Sequence, residues 1–398
     1  MTPEDIAWLR SPEGAPVTRL ATERLQSGDD ELRVIEALRR SVPPEQARAA
    51  LGLAIGRSVA APKFSDAADL FCDRETAEQA SSELVARHSA QRFAGLASVA
   101  DLGCGMGGDL LEIAREAEVV ALDRDATHLA MAEANTTVRG LSARVRFVAA
   151  DLETFEAIDH EAAWLDPSRR DSGGRRLDPE RWSPPLSTAI EVARHFPGAG
   201  LKLAPGIERE RLPADGELEF VSLEGRLVEA VLWLGTLVRT ARHATILGGD
   251  GTLSELSGDP DDRPPEVAPV GSYLYDPDPA VGRAQLIRHL AAEMDAWQLD
   301  ARVAYLSADR AVSTPFARRF RVLASMPFSE RQLLEELIRL EAGRVEVMRR
   351  GSSIETNELA TRLDRRLDGD RVLTVALTRV GSEPVAIVCE RERDEEPG

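Results

Sequence analysis

The stretch Val99 to Asp109, VADLGCGMGGD, constrains this chain more than any other, because a short apolar run meets a cluster of glycines there. A strand ending at Asp101 and a helix starting near Leu110 leave Gly103, Gly105, Gly107 and Gly108 in the connection. Glycines are needed where a chain turns sharply and its backbone must approach a ligand beside a helix N-terminus. About 20 residues further on, EVVALD ends a second apolar run in Asp123, the place from which a carboxylate reaches ribose hydroxyls. The pattern predicts a nucleotide-binding α/β domain.

The surrounding sequence fits that reading. From about residue 98 to residue 247 short apolar runs (SVADLG, EVVALD, VRFVAAD, AAWLDP, GLKLAP, LEFVSL, AVLWLG) alternate with helical stretches, which predicts a mostly parallel sheet with helices on both faces. Residues 1–64 read as a helical N-terminal domain, with Thr2, Pro3 and Asp5 forming a capping box and apolar residues at helical spacing in Glu31 to Leu38 and Glu45 to Ile55. A strand at Leu70 to Cys72, a cap at Asp73 and one helix carrying Ala77, Ala80, Leu84 and Val85 inward follow, opening a second domain over 65–247. Residues 248–271, rich in Gly, Asp and Pro, read as a linker. Residues 272–398 form a separate α+β domain: a strand at Tyr273 to Tyr275, a helix from Ala280 to Trp297, a strand near Phe320 to Met326, a helix from Glu330 to Leu340, a strand through Val345 to Met348, a helix near Glu355 to Leu363 and a closing pair of strands.

Composition narrows the function classes. A net charge of −19 argues against a protein that coats nucleic acid non-specifically, since that binding is driven by positive surface. Local basic sites stay open: Lys63 and Lys202 are the only lysines, so nearly every cation is an arginine, suited to bidentate phosphate contact and stacking. The three cysteines, Cys72, Cys104 and Cys389, have no CxxC spacing, which points to a reducing cytoplasm and away from disulfides or structural zinc. The six histidines are scattered, so no metal site is expected. No apolar run reaches the length of a membrane span, and the N-terminus lacks the form of a secretory signal.

The form D-x-G-C-G-x-G-G resembles the first motif of class I S-adenosylmethionine-dependent methyltransferases more closely than the G-x-G-x-x-G of dinucleotide dehydrogenases. Later signals follow in that family's order. The resemblance implies a Rossmann-like fold with S-adenosylmethionine as cofactor, held by Asp101, Gly103, Gly105 and Gly107, with Asp123 on the ribose and Asp151 on the adenine amine. It also implies that WLDPSRR carries the catalytic loop, in which the Asp166 side chain and a backbone carbonyl beside Pro167 accept hydrogen bonds from an acceptor amine. Ser168 and Arg169 depart from the aromatic pattern of amino-methyltransferases, leaving Trp182 as a stacking candidate. With no cysteine between Cys104 and Cys389, the cysteine-dependent route to pyrimidine carbon methylation is disfavoured, and a ring or exocyclic nitrogen is the expected acceptor.

FCDRETAEQA, DPSRR with WSPPL, KLAPGI, EAVLW, GSYLYDPDPAV and VEVMRRG together resemble a bacterial family of class I methyltransferases with a THUMP-like C-terminal domain. That resemblance implies an RNA substrate, transfer or ribosomal, with Arg349 and Arg350 as phosphate contacts; the arginine-rich loop that leaves DPSRR reads either as bringing Arg169 and Arg170 to phosphate beside the acceptor or as a surface loop paired with Asp171, Asp178 and Glu180. The segment before the glycine loop is similar to one in trimethylguanosine synthase, which implies that Phe71 and Arg74 lie near the cofactor. A small-metabolite methyltransferase and a non-catalytic RNA-binding protein with a vestigial pocket stay open as alternatives.

Overall fold

The computed structural model describes residues 1–152, 160–168, 170, 171, 174, 175, 178–261, 263 and 265–392. The chain divides into two compact units, Met1–Glu217 with Glu229–Arg239, and Leu218–Val228 with Thr240–Gly398. Among the described residues no helix is long and apolar enough to cross a membrane.

The first unit opens with helices α1 (Pro3–Leu9), α2 (Gly14–Gln26), α3 (Glu31–Leu38) and α4 (Pro44–Ala60). Thr2 and Asp5 cap α1 reciprocally, as their spacing predicts. These helices do not enclose a core of their own. Ile6, Val34, Leu38 and Leu53 belong to one buried cluster with Met106, Leu111, Met131 and Ala134, so the N-terminal helices share their core with the glycine loop and the helices that follow it.

Two expectations fail in the next segment. Leu70 to Cys72 joins no sheet, because the Asn135 amide takes the Phe71 backbone groups that a neighbouring strand would otherwise satisfy: Phe71 N–H donates to its Oδ1 at 2.6 Å, and its Nδ2 donates to the carbonyls of Phe71 at 3.0 Å and Met106 at 2.8 Å. The single helix is two, α5 (Arg74–Gln79) and α6 (Glu83–Ala90). Asp73 caps α5 as expected, but Lys63 Nζ ends it by binding the carbonyls of Ala77, Glu78 and Ala80 at 2.9, 2.8 and 2.8 Å.

The α/β layer then alternates β1 (Ser98–Leu102), α7 (Leu110–Glu116), β2 (Glu118–Asp123), α8 (Ala126–Val138), β3 (Val145–Ala149), β4 (Ala162–Leu165), the two-residue strands β5 (Arg170–Asp171) and β6 (Gly174–Arg175), α9 (Leu186–Ala193), β7 (Gly198–Leu203), β8 (Glu217–Leu223) and β9 (Arg226–Gly235). In the first unit the sheet order is β9-β7-β4-β1-β2-β3, parallel except for β9 against β7. Strands β1, β4 and β7 are buried on both faces, which is why they read as continuous apolar runs. The order reverses between β1 and β4, the switch point at whose carboxyl ends open α/β sheets bind ligands. Parallel register pairs Trp164 with Gly200, where a Cβ would stand 2.8 Å from the Trp164 ring and 2.5 Å from that of Trp233. Gly200 thereby lets two tryptophans close the face on which Asp166 and Lys202 stand two residues further on.

In the second unit β10 (Arg242–Leu247) lies between β8 and β11 (Leu253–Gly258). The stretch expected as a linker thus holds a strand, which buries Leu256. A seven-stranded sheet follows, built from β12 (Tyr273–Pro277), β13 (Trp297–Asp300), β14 (Val303–Ala308), β15 (Ala317–Pro327), β16 (Ala342–Arg349), β17 (Arg371–Val380) and β18 (Glu383–Arg391) in the order β13-β14-β12-β15-β18-β17-β16. Its helices are α10 (Pro279–Arg283), α11 (Ile287–Glu293), α12 (Glu330–Arg339) and α13 (Thr356–Asp364). The expected helix from Ala280 to Trp297 is broken at Gln285, which has φ 59°, and Trp297 opens β13. Leu333, Leu337, Leu359 and Leu363 seal one sheet face.

Asn135 is fully buried and joins the Phe71 segment to the glycine loop. Asn135→Ala is expected to lower unfolding free energy by roughly 2 to 3 kcal/mol in urea titrations, because it strands three buried backbone groups. A loss below about 0.5 kcal/mol would place the junction's strength elsewhere.

Candidate active site

A cavity of about 460 Å³ opens at the switch point of the first unit. Asp101 at the end of β1, Gly103 to Met106 in the glycine loop, Asp123 at the end of β2, Asp151 after β3, Asp166 and Pro167 after β4, and Lys202 on β7 all line it. Thr76, Glu78, Gln79 and Ala80, in the segment that Lys63 holds, line it as well.

Local geometry explains the glycines. Gly103 has φ 101° and a Cβ there would meet the Asp166 carbonyl oxygen at 3.5 Å, while Gly105 has φ 54° and faces open cavity. Both conformations are ones that side chains resist. Gly107 also has a positive φ but packs against Ala132 and does not line the cavity. The Asp123 carboxylate fastens the loop, accepting from Gly105 N–H at 3.0 Å and Asp125 N–H at 2.9 Å. His128 Nδ1 stands 3.4 Å from the same carboxylate. Burial opposes ionisation of Asp123, yet His128 and the two N–H groups prevail and hold its carboxyl below the ordinary range; the Asp123 bond in turn raises the His128 imidazole.

Asp101 is the opposite case. It is 1 % exposed, and neither carboxylate oxygen has a partner among the described residues. Burial, then Asp109, Asp166 and Asp123 nearby, push its carboxyl well above the usual range.

In the sequence Lys202 stands out as one of the chain's two lysines and opens the KLAPGI segment, without a role in the site. Its ammonium, 3 % exposed by residue, donates to Asp109 Oδ2 at 3.0 Å and to Asp166 Oδ2 at 2.8 Å. Burial works against the charge, but Asp109, Asp166 and Glu229 more than offset it and raise the ammonium. Glu229, buried and accepting from Ser81 Oγ at 2.8 Å, is pushed up to about 7 by burial, against the pull of Lys202. His128 is one of six scattered histidines and Glu229 opens the EAVLW segment, but nothing local in the sequence ties either to the site.

Other expected residues lie apart. Phe71 is core and Arg74 pairs with Glu31 on the surface at 2.9 Å; neither lines the cavity. Trp182 is buried, and its neighbours Ser183 and Pro184 line the cavity in its place. Arg169 lies outside the described residues, and Arg170 is described by its backbone alone, in β5. In the second unit Arg349 binds the Ile354 carbonyl and Glu355. Arg350 binds Asp276 at 2.7 Å and the Pro277 carbonyl at 2.6 Å and lies over the Tyr305 ring, so it acts as a strut and not as a free phosphate ligand.

Residues 99–164 match a methyltransferase domain family, residues 317–391 a THUMP domain-like family and residues 2–58 a domain family of unknown function, DUF8688. An uncharacterized S-adenosylmethionine-dependent methyltransferase of Mycobacterium tuberculosis is 37% identical over 336 residues, which cover 81% of this chain and 89% of that protein. The 23S rRNA (uracil(1939)-C(5))-methyltransferase RlmD of Acidithiobacillus ferrooxidans is 33% identical over 112 residues, 28% of this chain and 21% of that protein. A crystal structure from Porphyromonas gingivalis W83, described as a candidate methyltransferase, superposes with a TM-score of 0.72 at 18% identity, covering 95% of this chain and 98% of that one, and so shares the fold. The fold and site therefore define a Rossmann-like α/β methyltransferase with a THUMP-like C-terminal region. The chain belongs to the S-adenosylmethionine-dependent methyltransferases, and S-adenosylmethionine is its cofactor.

The cavity's chemistry fits that cofactor. Its wall carries Asp101, Asp109, Asp123, Asp125, Asp151 and Asp166, a set that would repel a dinucleotide's pyrophosphate but suits a ligand with an ammonium, a sulfonium and ribose hydroxyls. The unpartnered Asp101 would meet the ammonium, Asp123 the ribose, and the Gly103 to Gly105 backbone the close approach.

Two pH dependences follow. The Asp101 carboxyl is raised in the free protein and an ammonium beside it would lower it, so binding would release a proton over that interval and affinity for S-adenosylmethionine is expected to rise with pH there; calorimetry should show this slope and Asp101→Asn should abolish it. Glu229 binds its proton more tightly folded than unfolded, so stability falls as pH rises from its ordinary 4.5 through about 7. Denaturant titrations across that window should give a flatter profile for Glu229→Gln, and an unchanged profile would remove Glu229 as the cause.

Proposed function

We propose that this methyltransferase modifies a base nitrogen of RNA, transfer or ribosomal, with Asp166 orienting the acceptor. The observation that carries the reading is the place of Asp166: at the β4 end, on the cavity wall, with its backbone carbonyl against Gly103 and one carboxylate oxygen held by Lys202. The second oxygen can accept a hydrogen bond from an amine and turn its lone pair toward the cofactor. When bound, S-adenosylmethionine supplies an electrophilic methyl group whose bond to sulfur breaks as the acceptor lone pair forms the new bond, the breaking pair staying on sulfur. Afterwards the nitrogen loses its extra proton to water at the cavity mouth, and Asp166 keeps the acceptor aligned throughout. Alignment and exclusion of water provide most of the acceleration.

A nitrogen acceptor is favoured by the cysteines. Carbon methylation of a pyrimidine through a covalent adduct needs an accessible thiolate. Cys104 is the cysteine on the cavity wall, but it is buried, lies 3.8 Å from the Gly105 carbonyl, and burial beside Asp101 and Asp123 raises its thiol well above the ordinary value. RNA is favoured by the THUMP-like match at residues 317–391 and by the partial likeness to a 23S rRNA methyltransferase. Arg349 supports it weakly: its partners are exposed, and such pairs contribute about 0 to 1 kcal/mol, so a phosphate could replace Glu355.

The test is to incubate the protein with methyl-labelled cofactor and total RNA from a strain lacking the gene, then to identify the labelled nucleoside. Label in a methylated purine or exocyclic amine is expected; label confined to small molecules would sink the RNA reading. Asp166→Ala is expected to leave cofactor affinity intact in calorimetry while lowering turnover by roughly 100-fold or more. Intact methylation by that variant would remove Asp166 from the mechanism.

A further inference from the structure

We propose that Lys202 is a positioning residue for methyl transfer: its ammonium fixes the Asp166 carboxylate and locks the acceptor loop to the cofactor loop through Asp109. The inference rests on the reading of Asp166 as the acceptor-orienting group.

Three observations carry it. Register comes first, since β4 and β7 pair Trp164 with Gly200 and Leu165 with Leu201, so the next step along both strands sets Asp166 beside Lys202. Geometry comes second: one ammonium donates to Asp109, which immediately precedes α7, and to Asp166, which immediately follows β4. The glycine loop and the acceptor loop therefore share one fastening. Third is the cost of the arrangement. Every residue of β7 is buried, and an apolar side chain at position 202 would avoid the several kcal/mol, in order of magnitude, that desolvating a charge costs. The face is already closed by Trp164 and Trp233 against Gly200, so packing does not require the charge.

Lysine suits the task better than the arginine used almost everywhere else in this chain. A compact ammonium offers three donors at one point and can bind two converging carboxylates, whereas a guanidinium fork is planar and longer. Glu229, close enough to act on Lys202 electrostatically and bonded to Ser81, connects the same fastening to the segment before α6. With its rotamer held before the acceptor arrives, Asp166 loses little freedom when the acceptor binds.

The experiment uses the full chain as wild type, Lys202→Met, Lys202→Arg, Asp166→Asn and the Met/Asn double variant. Turnover and KM are read on total RNA from a strain lacking the gene, and S-adenosylhomocysteine affinity by calorimetry. Lys202→Met is expected to lower kcat roughly 100-fold, as a displacement of about 1 Å at a reacting group does, with the fall in kcat exceeding any rise in KM. Added to Asp166→Asn, it should cost no more than about threefold further, because both changes remove one function. Losses that multiply, or a Lys202→Met enzyme within about threefold of wild type beside an inactive Asp166→Asn, would overturn the proposal. Full activity of Asp166→Asn would instead overturn the reading of Asp166 itself. A second readout needs no acceptor: in crystals of Lys202→Met with S-adenosylhomocysteine, the Asp166 carboxylate should leave its wild-type position by about 1 Å or more, and an unmoved carboxylate counts against the proposal. If the Met variant does not fold, Lys202→Arg is read in both ways, with Asp166 displaced and kcat falling more than KM rises as the expected result.

Discussion

An ammonium taken out of water must be met by carboxylates, and at Lys202 that requirement shapes the site. Desolvation of such a charge costs several kcal/mol, in order of magnitude, unless partners converge on it. Asp109 and Asp166 do so at 3.0 and 2.8 Å, with Glu229 acting from further away. Since each acid comes from a different segment of the first unit, meeting one charge draws the glycine loop, the β4 end and the start of β9 together. The chain's other lysine, Lys63, performs a related task by binding the three carbonyls that end α5. Both walls of the cavity thus hang on a lysine in a chain that otherwise uses arginine.

The same cluster decides what the cavity can hold. Two of its acids, Asp101 and Glu229, are pushed upward by burial, while Asp123 is held down by His128 and backbone N–H groups. Neighbouring carboxyls are thereby shifted in opposite directions by burial and by hydrogen bonding. A raised carboxyl at Asp101 limits repulsion when the cavity is free, yet would offer a negative partner once a cation arrives. Polyanionic cofactors gain nothing from this arrangement, whereas a ligand carrying an ammonium and a sulfonium does.

Local sequence made the glycine loop and Asp123 legible, because each belongs to a strand end followed by a turn, and that grammar is written within a few residues; Asp151 and Asp166 were singled out by the resemblance to class I methyltransferases. Lys202 was not legible as part of the site. Its pairing with Asp166 depends on register between β4 and β7, 36 positions apart in sequence, and no single-strand pattern records which strands become neighbours. Phe71 failed for a related reason: the sequence shows an apolar run, but Asn135, 64 positions away, takes its backbone groups and turns it into core. The linker reading of 248–271 followed its Gly, Asp and Pro content, which is correct for the turns flanking β11 but blind to the pairing of Leu253–Gly258 with β10.

Arginine pairs show where composition misleads in the other direction. Arg349 and Arg350 read together as a basic patch, yet backbone direction sends adjacent side chains apart. Arg350 is drawn to Asp276 and Tyr305, while Arg349 stays with the exposed Glu355. Arg318, Arg321 and Arg362 likewise pair with Asp276, Glu390 and Glu330. A net charge of −19 therefore coexists with many guanidinium groups whose carboxylate partners are close at hand. Pairs buried on one side, such as that of Arg350, are structural. Exposed pairs contribute little to stability, so a phosphate could displace their carboxylates at small cost, and an acidic protein can still present separate points for a polyanion.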